Sequence, residues 1–258
     1  MNMKRPALSP VGSIDLVDLQ AVSDSLGRDF IPHPFVVLRQ SRFGSYQQYQ
    51  DYVAAIPERI ARGDLRSISR WVASYQEADL RVECVVSIVG SQRGRIMAHR
   101  RDQLGFIAAQ NYENDCVDIF EVSPYELGAV IAGSLALTQP GTHPKVVIPG
   151  LVRQPFPAGG GSDSDSSVVQ RDSRTGRVSV PRNKVTRYTR IQSRWRPARD
   201  WGFDRRKTTV ATVAVSNDGD YIYSPGFDYL TPTTMQNLGS RIDAAIAEDV
   251  ADLRESRR

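Results

Sequence analysis

The side chains of this 258-residue chain that could do chemistry are few and far apart. His33 and His143 each precede a proline, and His99 alternates within an extended run beside Arg100 and Arg101. All three read as structural or solvated residues. There is no GxGxxG or GxxxxGKS/T loop to cradle a phosphate, no HExxH to hold zinc and no GxSxG to present a nucleophilic serine. Carboxylate pairs stand at Asp15/Asp18, at a helix start where acids offset the dipole, and at Asp163/Asp165, in a Gly- and Ser-rich run. Neither pair supplies enough ligands for a metal. The expectation is a protein without catalytic residues, metal or cofactor.

The densest chemistry is recognition chemistry. Arg187, Arg190, Arg194 and Arg196 interleave with Tyr188, Trp195, Trp201 and Phe203. Such a mixture could track a phosphate backbone and stack bases. It equally makes a protein interface, where Trp, Tyr and Arg dominate the binding energy, or simply the solvated face of a strand. The net charge of +4 is concentrated here: residues 171–207 carry 13 basic and 3 acidic side chains, whereas 1–150 carry 15 and 16, and 208–258 carry 4 and 8. Arg outnumbers Lys by 29 to 4, so the high pI by itself is a weak pointer to nucleic acid. The expected partner surface comprises Tyr188, Ile191, Trp195, Trp201 and Phe203, rimmed by Arg187, Arg190 and Arg194. Arg93, in the turn Gly90–Gly94, is a second candidate. An Arg-rich nucleic-acid-binding protein is the alternative reading.

The elements that must position these residues follow from the hydrophobic pattern. With 40% apolar and 24% charged residues and no long apolar run, the composition is that of a soluble globular chain with no membrane insertion. Two cysteines, Cys84 and Cys116, fit free thiols in a reducing compartment, and no apolar segment follows Lys4 and Arg5, so a cytoplasmic location is expected. Leu19, Val22 and Leu26 fall at helical spacing before Gly27. Ser45 can cap a helix that Pro57 should kink or divide, and Gly63 and Asp64 should separate it from a helix buried through Leu65, Ile68, Val72 and Tyr75. From Leu80 the period becomes two. Runs beginning at Leu80, Arg95, Leu104 and Cys116 predict an antiparallel meander, followed by a helix opened by Ser123-Pro124. The run 184–195, the run 206–216, the turn Asn217–Asp220 and the strand 221–224 repeat that syntax, ending in a helix predicted to start at Thr231-Pro232.

Strands, hairpin, proline-led start and helix thus occur twice, near 80–137 and 184–253, and the chain divides into halves 1–150 and 182–258, with 151–181 read as a flexible connector. The predicted fold is α+β, with two similar halves sharing one antiparallel sheet about a quasi-two-fold axis. The order of an early amphipathic helix, the Arg62-Gly63-Asp64-Leu65 junction, the meander, the stretch ALTQPGTHPKVVIPG, the turn NDGDYIYSPG and a last helix with Leu238 resembles the EspG family of type VII (ESX) secretion. That resemblance implies a central antiparallel sheet flanked by helical bundles. It further implies a non-enzymatic cytosolic chaperone, monomeric or weakly dimeric, that binds the PPE protein of a PE–PPE heterodimer and not nucleic acid. The family commonly has helices early in its second half, whereas 150–181 shows little helical periodicity here, so the contacts are carried over only as candidates.

Overall fold

The computed structural model describes residues 7–28, 30–151, 170–172, 176–195, 202–204, 207–223 and 226–257. Its first part folds as β1 (Ser9–Asp15), α1 (Leu16–Ser25), α2 (Tyr46–Arg62), a 3-10 turn (Arg66–Ile68) and α3 (Ser69–Gln76). Then come the strands β2 (Leu80–Ile88), β3 (Gly94–Arg101), β4 (Leu104–Asn111) and β5 (Cys116–Val122), the helix α4 (Leu127–Ser134) and the short β6 (Lys145–Val147). β7 (Gln170–Asp172), β8 (Arg177–Ser179), β9 (Val185–Trp195), β10 (Val210–Val215), β11 (Gly219–Tyr223), β12 (Leu230–Pro232) and α5 (Met235–Ser256) complete it. Among the described residues the twelve strands form one sheet, in the order β1-β5-β4-β3-β2-β9-β10-β11-β12-β6-β8-β7. All pairings are antiparallel except β6 with β8. The fold is therefore mixed α/β with a large, mostly antiparallel central sheet.

Strand alternation gives each sheet face its own core. On one face Leu80, Val82, Cys84, Ile96, Ile107 and Ile191 meet Val130 and Ile131 of α4 and Leu238, Ile242 and Ile246 of α5. On the other, Met97, Phe106, Val117 and Ile119 meet Leu19 and Val22 of α1, Ile56 of α2, and Trp71, Val72 and Tyr75 of α3. A third cluster joins Val213, Val215 and Tyr221 to Val146, Val178 and Leu230 at the far end of the sheet. α4 and α5 cross closely because Gly128 of α4 lies where a Cβ would meet the Asp243 carboxylate of α5 at 2.2 Å. The Gly128 amide donates to that carboxylate, whose pKa burial raises.

Several expected boundaries move. Ser45 caps α2 by accepting from the Gln48 amide, but α2 runs unbroken through the exposed Pro57. Between α2 and the next helical segment Asp64 pairs with Arg59, and Gly63 has φ −97°, so its role is close approach, with Arg59 Cα only 2.8 Å from a would-be Cβ. Thr231 and Pro232 belong to β12, and the last helix is capped by Thr234 through the Asn237 amide. In the expected connector, β8 pairs with β6 and β7, so part of it belongs to the sheet, whereas its Gly- and Ser-rich centre, 157–167, lies outside the described residues. Cys84 and Cys116 are free thiols.

His99 is fully buried among Trp71, Tyr75 and Phe106, with its Nε2 2.9 Å from the Ser74 hydroxyl. Burial, assisted by the nearby Arg81 charge, lowers its pKa to about 3. Between that value and the ordinary one near 6.5 the unfolded chain binds a proton that the folded chain refuses, so stability falls as pH drops through this window. The expected loss is of the order of 4 kcal/mol. Urea unfolding of wild type and His99→Gln from pH 7 to pH 3.5 should show a clearly flatter acid limb for the variant.

Candidate functional site

Strand β9 carries most of the predicted surface, and its pairing decides where each side chain goes. Ile191 is opposite Cys84 and Ile88 opposite Arg187, so Arg187, Ile191 and Trp195 point to the α4/α5 face. Tyr188, Arg190 and Arg194 point to the other. The expected arginine rim is thus split between two faces. Arg187 and Trp195 are also eight residues apart on one strand, about 26 Å in extended backbone.

Two of the predicted residues are buried and a third, Arg187, is tied inward. Ile191 is 1% exposed and packs under α5. Arg194 is 5% exposed and bonds the fully buried Glu83 at 2.6 Å, while the second Glu83 oxygen lies 3.1 Å from His33 Nδ1. Arg187 is an internal tie: it donates to the Leu135 and Ala136 carbonyls at the end of α4, at 2.8 and 2.9 Å, and to Asp220 at 2.5 Å. Asp220 in turn accepts from the Thr138 amide at 2.7 Å, which fastens the strap 137–143 across β11. The strap runs so close that a Cβ on Gly141 would overlap the Tyr221 ring. Ile191 and Arg194 cannot serve as surface residues, and Arg187, though it borders a groove, has its guanidinium committed to Asp220. The long-range acids that claim the two arginines, Glu83 and Asp220, carry no local sequence signal.

Phe203 lies on the opposite face from Arg187, beneath the Arg190 guanidinium at 4.8 Å and edge-on to His33 at 5.1 Å. The Gln192 amide holds that segment by bonding both the amide and the carbonyl of Asp204. Trp195 is half-buried at the far end of β9, and Trp201 lies outside the described residues.

The structure brings Arg93, Arg187, Tyr188 and Arg190 together, with residues that the sequence reading missed. They line a groove of about 450 Å³ at the end of the sheet where β2 turns into β3, together with Ile88, Val89, Leu151, Arg182 and Val185. The turn is built by Gly90 at φ 74°, by the Val89 amide donating to the Thr186 carbonyl at 3.0 Å, and by Tyr112, whose hydroxyl donates to the Arg93 carbonyl. It leaves Ile88 43% and Val89 75% exposed. Burial raises the Tyr188 phenol pKa against the opposing pull of Arg190 and Arg182 beside it. A second groove, of about 750 Å³, adjoins the first across Ile88, Thr186 and Arg187 and reaches the strap through Thr138 and Gln139. This end of the sheet offers apolar contact and guanidinium donors. Among the described residues no group of three His, Cys, Asp or Glu side chains could hold a metal, and no helix is long and apolar enough to cross a membrane.

Arg187→Ala should destabilise the fold by about 3–5 kcal/mol, because it strands the buried Asp220 carboxylate. Arg187→Lys should restore only part of that, since one ammonium cannot span the carboxylate and the α4 carbonyls as a guanidinium fork does. Urea midpoints of the two variants check both outcomes.

Compared with known proteins, no family model matches the chain, and no curated protein is detectably similar to it in sequence.

Proposed function

We propose that the chain is a non-enzymatic docking protein of the EspG kind, which covers the apolar tip of a PPE protein in a PE–PPE pair and keeps it soluble for type VII secretion. The observation that carries this reading is the end of the sheet around the β2–β3 turn, where Ile88 and Val89 stand exposed beside Leu151 and Tyr188 and are ringed by arginines. Exposed apolar side chains inside a polar rim are the usual form of a protein-docking surface.

The topology supports the quasi-two-fold reading. The meanders β2-β3-β4-β5 and β9-β10-β11-β12 step outward from the β2–β9 seam in opposite directions, and each is followed by a helix, α4 or α5. Those two helices pack on each other over the seam, while α1, α2 and α3 group on the opposite face of the first half.

Docking of this kind requires no covalent chemistry. The surface must bury an apolar tip, exclude water around it and release it again. At about 25 cal/mol per Å² of apolar area the gross gain is large, and ordering costs bring it to the moderate affinity that a handed-on partner needs.

Co-expression of the tagged chain with a PE–PPE pair should yield a ternary complex on affinity purification. Val89→Asp combined with Ile88→Ser should cut the captured pair at least tenfold and leave the urea midpoint of the free protein within about 0.5 kcal/mol of wild type, as for exposed sites. Full capture by that variant would remove the β2–β3 turn from the surface, and failure of wild type to capture PE–PPE pairs would overturn the functional reading itself.

A further inference from the structure

The arginines of the groove differ in one decisive respect. Arg187 is committed to Asp220, but Arg93, Arg182 and Arg190 are exposed and, among the described residues, they form no ion pair with any acid and no acidic side chain lines the groove. Elsewhere on the surface Arg70 pairs with Glu121, Arg177 with Asp228 and Arg257 with Asp79, while Arg66, Arg241 and Arg254 also lack an ion pair among the described residues; what sets the groove apart is that three such arginines line one cleft. The local imbalance is held in place by structure. Arg182 sits on the 3-10 turn that leads into β9, the Arg190 guanidinium lies 4.8 Å from the centre of the Phe203 ring, and the backbone of Arg93 is held by the Tyr112 hydroxyl on its carbonyl.

We infer that the groove reads a carboxylate: the segment of a protein partner that enters it presents an Asp or Glu to Arg93, Arg182 and Arg190, next to aliphatic side chains that pack on Ile88, Val89 and Leu151. This deepens the docking assignment above and rests on it for the identity of the partner. The guanidinium forks donate to the two oxygens of a carboxylate in charge-assisted pairs, and these set orientation and reject a partner with a like charge or an unpaired amide at that point. The neighbouring lining favours protein over nucleic acid. Four of its described residues, Ile88, Val89, Leu151 and Val185, are aliphatic, and the single aromatic among them, Tyr188, is half-buried, so the described lining offers no platform on which bases could stack. A volume of about 450 Å³ is that of a cleft for a few side chains, not of a channel for a strand.

The test uses the intact protein and three probes in isothermal titration calorimetry at low salt. The first is a twelve-residue peptide with two Leu-Leu pairs and two glutamates, the second its counterpart with glutamines, and the third a ten-nucleotide oligo(dT). The glutamate peptide should bind at least tenfold more tightly than the glutamine peptide, and the ratio should shrink as salt rises. The triple variant Arg93→Gln, Arg182→Gln, Arg190→Gln, whose sites are all exposed, should keep the urea midpoint and lose the preference. Equal affinity for the two peptides, a preference retained by the triple variant, or tighter binding of oligo(dT) overturns the inference. The two readings separate cleanly. Capture of a PE–PPE pair without a glutamate preference leaves the docking role and removes the carboxylate, and a glutamate preference without capture does the reverse.

Discussion

Nine consecutive residue pairs, from Leu80–Trp195 to Ile88–Arg187, join β2 to β9 and thereby make one sheet of two meanders. Everything else hangs on this ladder. It is the only pairing among the described strands that links the β1–β5 side to the rest of the sheet. It puts Cys84 and Ile191 side by side under α5, and it sets the β2–β3 turn against the start of β9, where the groove forms. Pairs so distant in sequence form only after a long loop has closed, so the ladder must be strongly favoured once made.

Its middle is polar on one side. Arg81 lies opposite Arg194, and Glu83 opposite Gln192, on the face away from α4 and α5. Burial lowers the Arg81 pKa to about 10, and its guanidinium lies 3.8 Å from the centre of the Tyr75 ring. Two arginines side by side in a sheet are unfavourable unless an anion stands between their reaches, and Glu83, bonded to Arg194 and His33, is that anion. The segments 30–36 and 202–204 close over this patch, holding Val36 on the Gln110 amide and Phe203 under Arg190.

Much of the sheet was legible in sequence because β2 to β5 and β9 to β11 obey period two and are separated by Gly- and Asn/Asp-bearing turns, with Asn217 taking φ 61° as its turn requires. The three-residue strands β6, β8 and β12 were not legible, since so short a segment forms by pairing with a neighbour already in place. Thr231-Pro232 carried a helix-start signal that lost to the pairing of Leu230 with Tyr223 and Val146. For the candidate site, the split of Arg187 from Arg190 and Arg194 was implicit in their spacing of three and seven, which alternation sends to opposite faces. Their commitment to Asp220 and Glu83 was not, because those pairs span 33 and 111 residues. Ile88 and Val89 end an apolar run and carry no signal of their own, yet they are exposed, because β2 overshoots the helices that cover the rest of it.

The buried ion pair and the exposed groove are parts of one constraint. A slip of β9 by one residue against β2 would carry Arg194 and Gln192 into the apolar layer beneath α5 and turn Ile191 toward Glu83, which penalises every neighbouring register at once. A pair that contributes little net stability is thus well suited to specifying alignment, the role in which buried charges are best attested. Glu83 lies five residues from Ile88, about 17 Å along β2. Across that distance a rigid strand transmits the register intact, so the turn that bears Val89 and Arg93 meets Arg182, Tyr188 and Arg190 without any contact of its own having to choose them. The groove can therefore keep Arg93, Arg182 and Arg190 unpaired and its aliphatic side chains uncovered, because the force that positions them is generated elsewhere in the same ladder.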